Sequence, residues 1–191
     1  MSDDFRMLCE EGDLSVAGVI GSTRVLFIKT GQGGSVYGDG NRYRDLALEM
    51  NGRLGISVFV SATVKDDCGV FAEDMRIIEQ CLGTASFRVY YLGVSKGGLI
   101  GCWYGADDRR IKRMVSINAP LMINYHGKTL PGVKRLGRDR LTMIYGSLDA
   151  SYKYVPFVEK HAEVRIIDGA DHNLENTSVT LSDIVTDYLL V

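Results

Sequence analysis

From residue 25 onward, two patterns of apolar positions take turns along the chain. Short apolar runs at 25–29, 56–61, 87–92, 114–117, 141–145 and 164–167 read as buried strands. Between them, apolar residues recur at helical spacing. Tyr43, Leu46, Ala47, Met50 and Leu54 share one face before Gly55, and Phe71, Met75, Ile78 and Leu82 share another before Gly83. A glycine after the last apolar position of a helix is a stop signal. Tyr154, Phe157, Val158 and His161 mark a further helical face, and Leu181, Ile184, Val185, Tyr188 and Leu189 a closing one. Ahead of this alternation, runs at 5–10 and 14–20, joined at Glu11-Gly12-Asp13, predict a hairpin. Residues 121–138, broken by Gly127, Pro131, Gly132 and Gly137, predict a loop holding one short helix.

Strands alternating with helices predict an α/β fold: a mostly parallel central sheet, an N-terminal antiparallel hairpin, and helices on both faces. The 191 residues contain no linker, repeat or low-complexity tract, so a single domain over 1–191 is expected.

In sheets of this kind, functional groups gather outside the carboxyl ends of the strands. Residues 31–34, Ser95, Asn118, Asp149 and His172 all follow predicted strand ends. One stretch adds chemistry to that edge. Residues 89–105 read V-Y-Y-L-G-V-S-K-G-G-L-I-G-C-W-Y-G, with a G-x-S-x-G pentapeptide at Gly93-Val94-Ser95-Lys96-Gly97. A strand that turns at once into a helix holds the serine on a strained elbow, with Oγ clear of the sheet. The glycines let strand and helix approach, and the new helix start offers free N–H groups beside the hydroxyl.

A serine hydroxyl needs a base. Of the three histidines, His161 falls on a helical stripe and reads as structural, and His126 lies in the irregular segment ahead of the acid candidates. His172, in G-A-D-H-N-L after the last strand, stands where a side chain reaches across the strand ends. Asp149, in Y-G-S-L-D between serine and histidine, is the acid candidate; Asp171 and Asp168 are the alternatives. Asp149 also reads as an N-cap for a helix near Ser151, and Asp107 and Asp108 read as solvated.

Composition narrows the setting. A formal charge of −2 without like-charge runs gives no reason to expect nucleic acid or an anionic membrane surface as partner. No run of about 18 apolar residues predicts a membrane span. The four cysteines lack C-x-x-C spacing, so no zinc site is expected; three lie in apolar segments and read as core residues. With an acidic N-terminus lacking an apolar signal region, these features fit a reducing cytoplasm.

The elbow at 93–97, the Asp149 loop and the 169–172 loop, in the order serine, acid, histidine, resemble the α/β-hydrolase superfamily in a small, lidless form. The resemblance spans nearly the whole chain. It implies Ser95 as nucleophile, His172 as general base and then acid, and Asp149 as the orienting acid. It implies an oxyanion hole made by the N–H of Lys96 and one N–H of loop 31–33, taken as that of Gln32. The first loop begins Thr30-Gly31 where the family usually has His-Gly, and Lys96 fills the variable elbow position. That lysine either favours an anionic substrate or leaves its ammonium in solvent. Residues 118–140 are too few for a helical lid. Leu121, Met122 and Ile123 either rim a small acyl pocket, with Met122 and Ile123 as its substrate contacts, or pack under the loop. The implied activity is serine-esterase-like hydrolysis of a small-molecule acyl substrate through an acyl-enzyme, without cofactor or metal. Thioester or amide hydrolysis and acyl transfer use the same residues, and a binding protein on a hydrolase fold is the alternative class.

Overall fold

A computed structural model describes residues 4–190. Its centre is an eight-stranded sheet in the order β1-β2-β4-β3-β5-β6-β7-β8. The strands are β1 (Arg6–Glu11), β2 (Leu14–Val19), β3 (Ser22–Lys29), β4 (Ile56–Ser61), β5 (Arg88–Val94), β6 (Ile111–Ile117), β7 (Leu141–Gly146) and β8 (Glu163–Ile167). β1 and β2 form the expected hairpin, β2 runs antiparallel to β4, and every pairing from β4 to β8 is parallel. The parallel strands therefore all end at one edge.

Helices cover both faces because strand residues alternate sides. Val25, Phe27, Val89 and Tyr91 face one core with α2 (Cys68–Leu82), the elbow helix α3 (Lys96–Ile100) and α4 (Leu130–Arg140). Leu26, Ile28, Leu92 and Val115 face the other with α1 (Arg42–Leu54) and α6 (Leu181–Ile184). α1 and α2 end at Gly55 and Gly83, both left-handed, as their stop signals require. α3 continues as a π-helical turn, Gly101–Gly105, and α6 as another, Val185–Leu189. Among the described residues, no helix is long and apolar enough to cross a membrane.

The segment expected to be mostly loop differs. It holds a π-helical turn, Tyr125–Thr129, and then the 11-residue α4. Pro131 stands in the first turn of α4, where its fixed φ suits the helix. Val133 and Leu136 enter the core, and Gly132 lies so close to α3's continuation that a Cβ would sit 1.9 Å from the Cys102 carbonyl oxygen. Glycine punctuation here marks contact between helix backbones, not irregularity. Other departures are smaller. Leu54 is exposed although it continues the α1 stripe. The helical face at 154–161 is a 3₁₀ turn, Ala150–Tyr154, and the short α5 (Val155–Val158); His161 lies beyond it, half-buried. Asp108 is not simply solvated, since it binds Arg110 through both oxygens, and Asp107 pairs with Arg135. Cys102 alone among the cysteines is buried; Cys9 and Cys81 are half-buried and Cys68 exposed.

Candidate active site

Ser95 follows β5 directly and has φ 52° and ψ −121°, a conformation that non-glycine residues avoid. Its own main chain holds it there: its N–H donates to the Ile117 carbonyl at 2.7 Å, and its carbonyl accepts from Gly98 at 3.0 Å. Gly97 permits the turn, because a Cβ there would lie 2.2 Å from the Lys29 carbonyl oxygen. Ser95 is half-buried, and its hydroxyl makes no side-chain hydrogen bond among the described residues.

The loop after β3 closes on the elbow. A turn joins Gly34 N–H to the Gly31 carbonyl at 3.1 Å, and an ideal Cβ on Gly31 would stand 3.1 Å from that of Ser95. The N–H groups of Gln32 and Lys96 donate to no acceptor among the described residues. Their side chains meet instead, Lys96 Nζ donating to Gln32 Oε1 at 3.1 Å. Thus the Lys96 ammonium turns to the loop on the exposed side of the elbow.

Under this loop lies a buried ion pair. Lys29 ends β3, and its ammonium meets Asp74 of α2 and donates to Ser61 Oγ at 3.0 Å. Ser61 Oγ in turn donates to Asp74 Oδ1 at 2.8 Å. Burial pushes Lys29 below the usual lysine range and Asp74 above the usual carboxylate range, each opposed by its partner.

His172 and Asp149 come together across the ends of β7 and β8. Nδ1 of His172 lies 2.5 Å from Asp149 Oδ2, with the Asp149 side chain 2 % exposed and the imidazole 50 % exposed. The other oxygen, Oδ1, accepts from Ser151 N–H at 2.6 Å. Asp149 therefore caps the 3₁₀ turn through one oxygen and meets His172 through the other. Asp171 is engaged elsewhere, its Oδ1 accepting from the N–H groups of Asn173 and Glu175. Asp168 accepts from Ser147 Oγ. His126 is exposed on the π-helical turn, its ring 5.0 Å from that of Tyr125.

Ser95 and His172 line one cavity of about 390 Å³, closed by the loop from Gly31 to Asp39 and by Arg42, Tyr43 and Asn173. Leu121 is fully buried in the core, whereas Met122 and Ile123 are each 47 % exposed and stand outside that lining. Sequence reading assigned no role to Arg42, to the Asn118 side chain or to the Lys29–Asp74 pair. Two signals were present. Asp74 lies three positions from Phe71 on the buried stripe of its helix, and Lys29 closes a buried apolar run.

No family model and no curated protein matches the chain. Solved structures do. Dienelactone hydrolase from Anabaena variabilis superposes with TM-score 0.72 at 18% identity, covering 97% of this chain and 97% of that one. A serine hydrolase without lid from Xanthomonas campestris gives 0.66 at 16%, covering 100% and 98%. Est1E from Butyrivibrio proteoclasticus gives 0.68 at 13%, covering 96% and 94%. At these identities the likeness is one of fold, and with the strand order and pairing directions described above it shows that this chain has the α/β-hydrolase fold.

Proposed function

We propose that the chain is a serine-dependent hydrolase, carboxylesterase-like, that cleaves a small carboxylic ester or related acyl bond through an acyl-enzyme. One observation carries the reading: a serine held at φ 52° shares a cavity with a histidine whose Nδ1 meets a buried carboxylate at 2.5 Å. Ser95 Oγ attacks the carbonyl carbon while His172 takes the hydroxyl proton, and Asp149 orients the imidazole and stabilises its cation. The tetrahedral oxyanion accepts from the N–H groups of Gln32 and Lys96, which are free to donate. Collapse expels the alcohol, protonated by His172, and water then repeats the sequence to release the acid. Met122 and Ile123, exposed on the loop after β6, are the proposed contacts of longer acyl chains. Free cysteines suit a reducing cytoplasm.

The test is covalent. A fluorophosphonate probe should label Ser95, and Ser95→Ala should lower turnover of p-nitrophenyl butyrate by about 10⁴–10⁶. A folded Ser95→Ala protein with undiminished turnover rejects the reading.

A further inference from the structure

We infer that Arg42 forms an anion-binding subsite inside the cavity that holds Ser95 and His172, and that the preferred substrate is an ester carrying a carboxylate. The catalytic half of this inference rests on the serine-hydrolase reading; the binding half does not.

Arg42, the first residue of α1, supplies the only lysine or arginine side chain in the described lining of that cavity. Its guanidinium is fixed in place. It lies over the Tyr43 ring at 5.0 Å, and its two terminal nitrogens donate to the Asn173 carbonyl at 3.2 Å and to Tyr43 Oη at 3.2 Å. Those two oxygens are its hydrogen-bond partners among the described residues, and its Nε is buried without one. A guanidinium has five N–H donors, so most of its capacity is unused. Tyr43 does not neutralise it. Burial pushes the phenol above its usual range, against the opposing pull of Arg42, so the ring keeps its proton.

A half-buried cation with no ion-pair partner among the described residues, in a cavity within the size range of small-molecule sites, favours an anionic ligand group. A carboxylate suits the fork of a guanidinium, and the stacked side chain loses little freedom on binding it. Lys96 does not compete, since it lies outside the lining and donates to Gln32. Asp39 lines the same cavity and opposes the effect, which gives the proposal a second handle of opposite sign.

The test compares 3-acetoxybenzoate with 3-acetoxybenzamide, aryl acetates of the same shape that differ in charge. The wild-type protein should favour the carboxylate about tenfold in kcat/KM, as a charge-assisted hydrogen bond implies. Arg42→Gln should abolish that ratio, Arg42→Lys should keep part of it, and Asp39→Asn should raise it about threefold. The ratio is the readout, so a general loss of activity cancels. If Arg42→Gln weakens both substrates equally, Arg42 only buttresses the His172 loop through Asn173 and the proposal is overturned. A wild-type ratio near one also overturns it. Calorimetry with Ser95→Ala separates the two readings. Arg42-dependent, charge-selective binding of 3-acetoxybenzoate, with neither fluorophosphonate labelling nor p-nitrophenyl butyrate turnover by the parent protein, removes the hydrolase reading and leaves the subsite. Turnover without charge selectivity does the reverse.

Discussion

The side-chain amide of Asn118 donates to the carbonyl of His172 at 2.9 Å. From the end of β6 it also donates to the Asp171 carbonyl at 3.1 Å, and its Oδ1 accepts from Gly146 N–H at 2.9 Å. One wholly buried side chain, on a residue with φ 49°, therefore ties the ends of three strands together beneath the imidazole. Asn118→Ala leaves the buried Gly146 N–H without its partner, at a cost of about 2–3 kcal/mol in urea denaturation. Loss of the two donated bonds also frees the loop that carries His172. We expect kcat to fall about 10–100-fold with KM little changed, because small errors of placement weigh on the chemical step. Lost stability with full kcat would reduce Asn118 to scaffolding.

The two oxygens of Asp149 make separable predictions. Asp149→Asn keeps an acceptor for Ser151 N–H but loses the charge facing His172 and favours the wrong tautomer. It should cut kcat by about 10³–10⁴ with little change in stability. Asp149→Ala also removes the cap and should cost about 1 kcal/mol more. Asp171→Asn should alter kcat less than about threefold, since Asp171 Oδ1 is bonded within its own loop. The opposite ranking of Asp149 and Asp171 would move the acid to the neighbouring residue.

Much of the fold could be read because each parallel strand is a short apolar run and α1 and α2 each end at a glycine. The ends of β4, β6, β7 and β8 fall within a few residues of those expected, and the elbow lies where the pentapeptide placed it. α4 was hidden because Pro131, Gly132 and Gly137 serve helix entry, close packing and a kink, all of which resemble a loop in sequence. Ser95 stands out in sequence by its pentapeptide and His172 by its loop after the last strand, and the two line one cavity. Asn118 and Arg42 could not be assigned roles, because those roles depend on partners 28 to 131 residues away. Hydrophobic periodicity carries no information about such pairings.

The Lys29–Asp74 pair links stability to pH. Removing one member of a buried ion pair costs about 3–5 kcal/mol, because the other charge is left uncompensated. In Asp74→Asn, Lys29 loses the partner that opposes the effect of burial, so its folded pKa lies further below the unfolded one. Between those two values the unfolded chain binds more protons, and stability rises with pH. Urea titrations should therefore show Asp74→Asn recovering stability as pH is raised toward about 10 and losing more as pH falls. Lys29→Met with Asp74→Leu should restore much of the loss at neutral pH. A pH-independent deficit in Asp74→Asn would mean that Lys29 has found another counter-charge.

Substrate length should follow the shape of the site. The stretch between β6 and β7 is used up by a loop, a π-helical turn and α4, which packs on the α3 side through Gly132. It is not available to roof a long acyl trench. A cavity of about 390 Å³ accommodates a short acyl group, and the apolar side chains of Met122, Ile123 and Leu148, which are not part of its lining, stand 47 %, 47 % and 70 % exposed on loops at the same sheet edge. Each methylene that becomes buried gains about 0.8 kcal/mol, roughly fourfold in kcat/KM, but an exposed rim returns only part of this. We expect kcat/KM for p-nitrophenyl esters to rise from acetyl to about butyryl or hexanoyl and then level or fall. Met122→Ser with Ile123→Ser should lower the hexanoyl-to-acetyl ratio severalfold if longer chains cross that rim. Activity should pass smoothly through the solubility limit of the ester. A jump at that limit, or a steady preference for long-chain emulsions, would require a cover over Ser95 that this arrangement of β6, α4 and β7 does not provide.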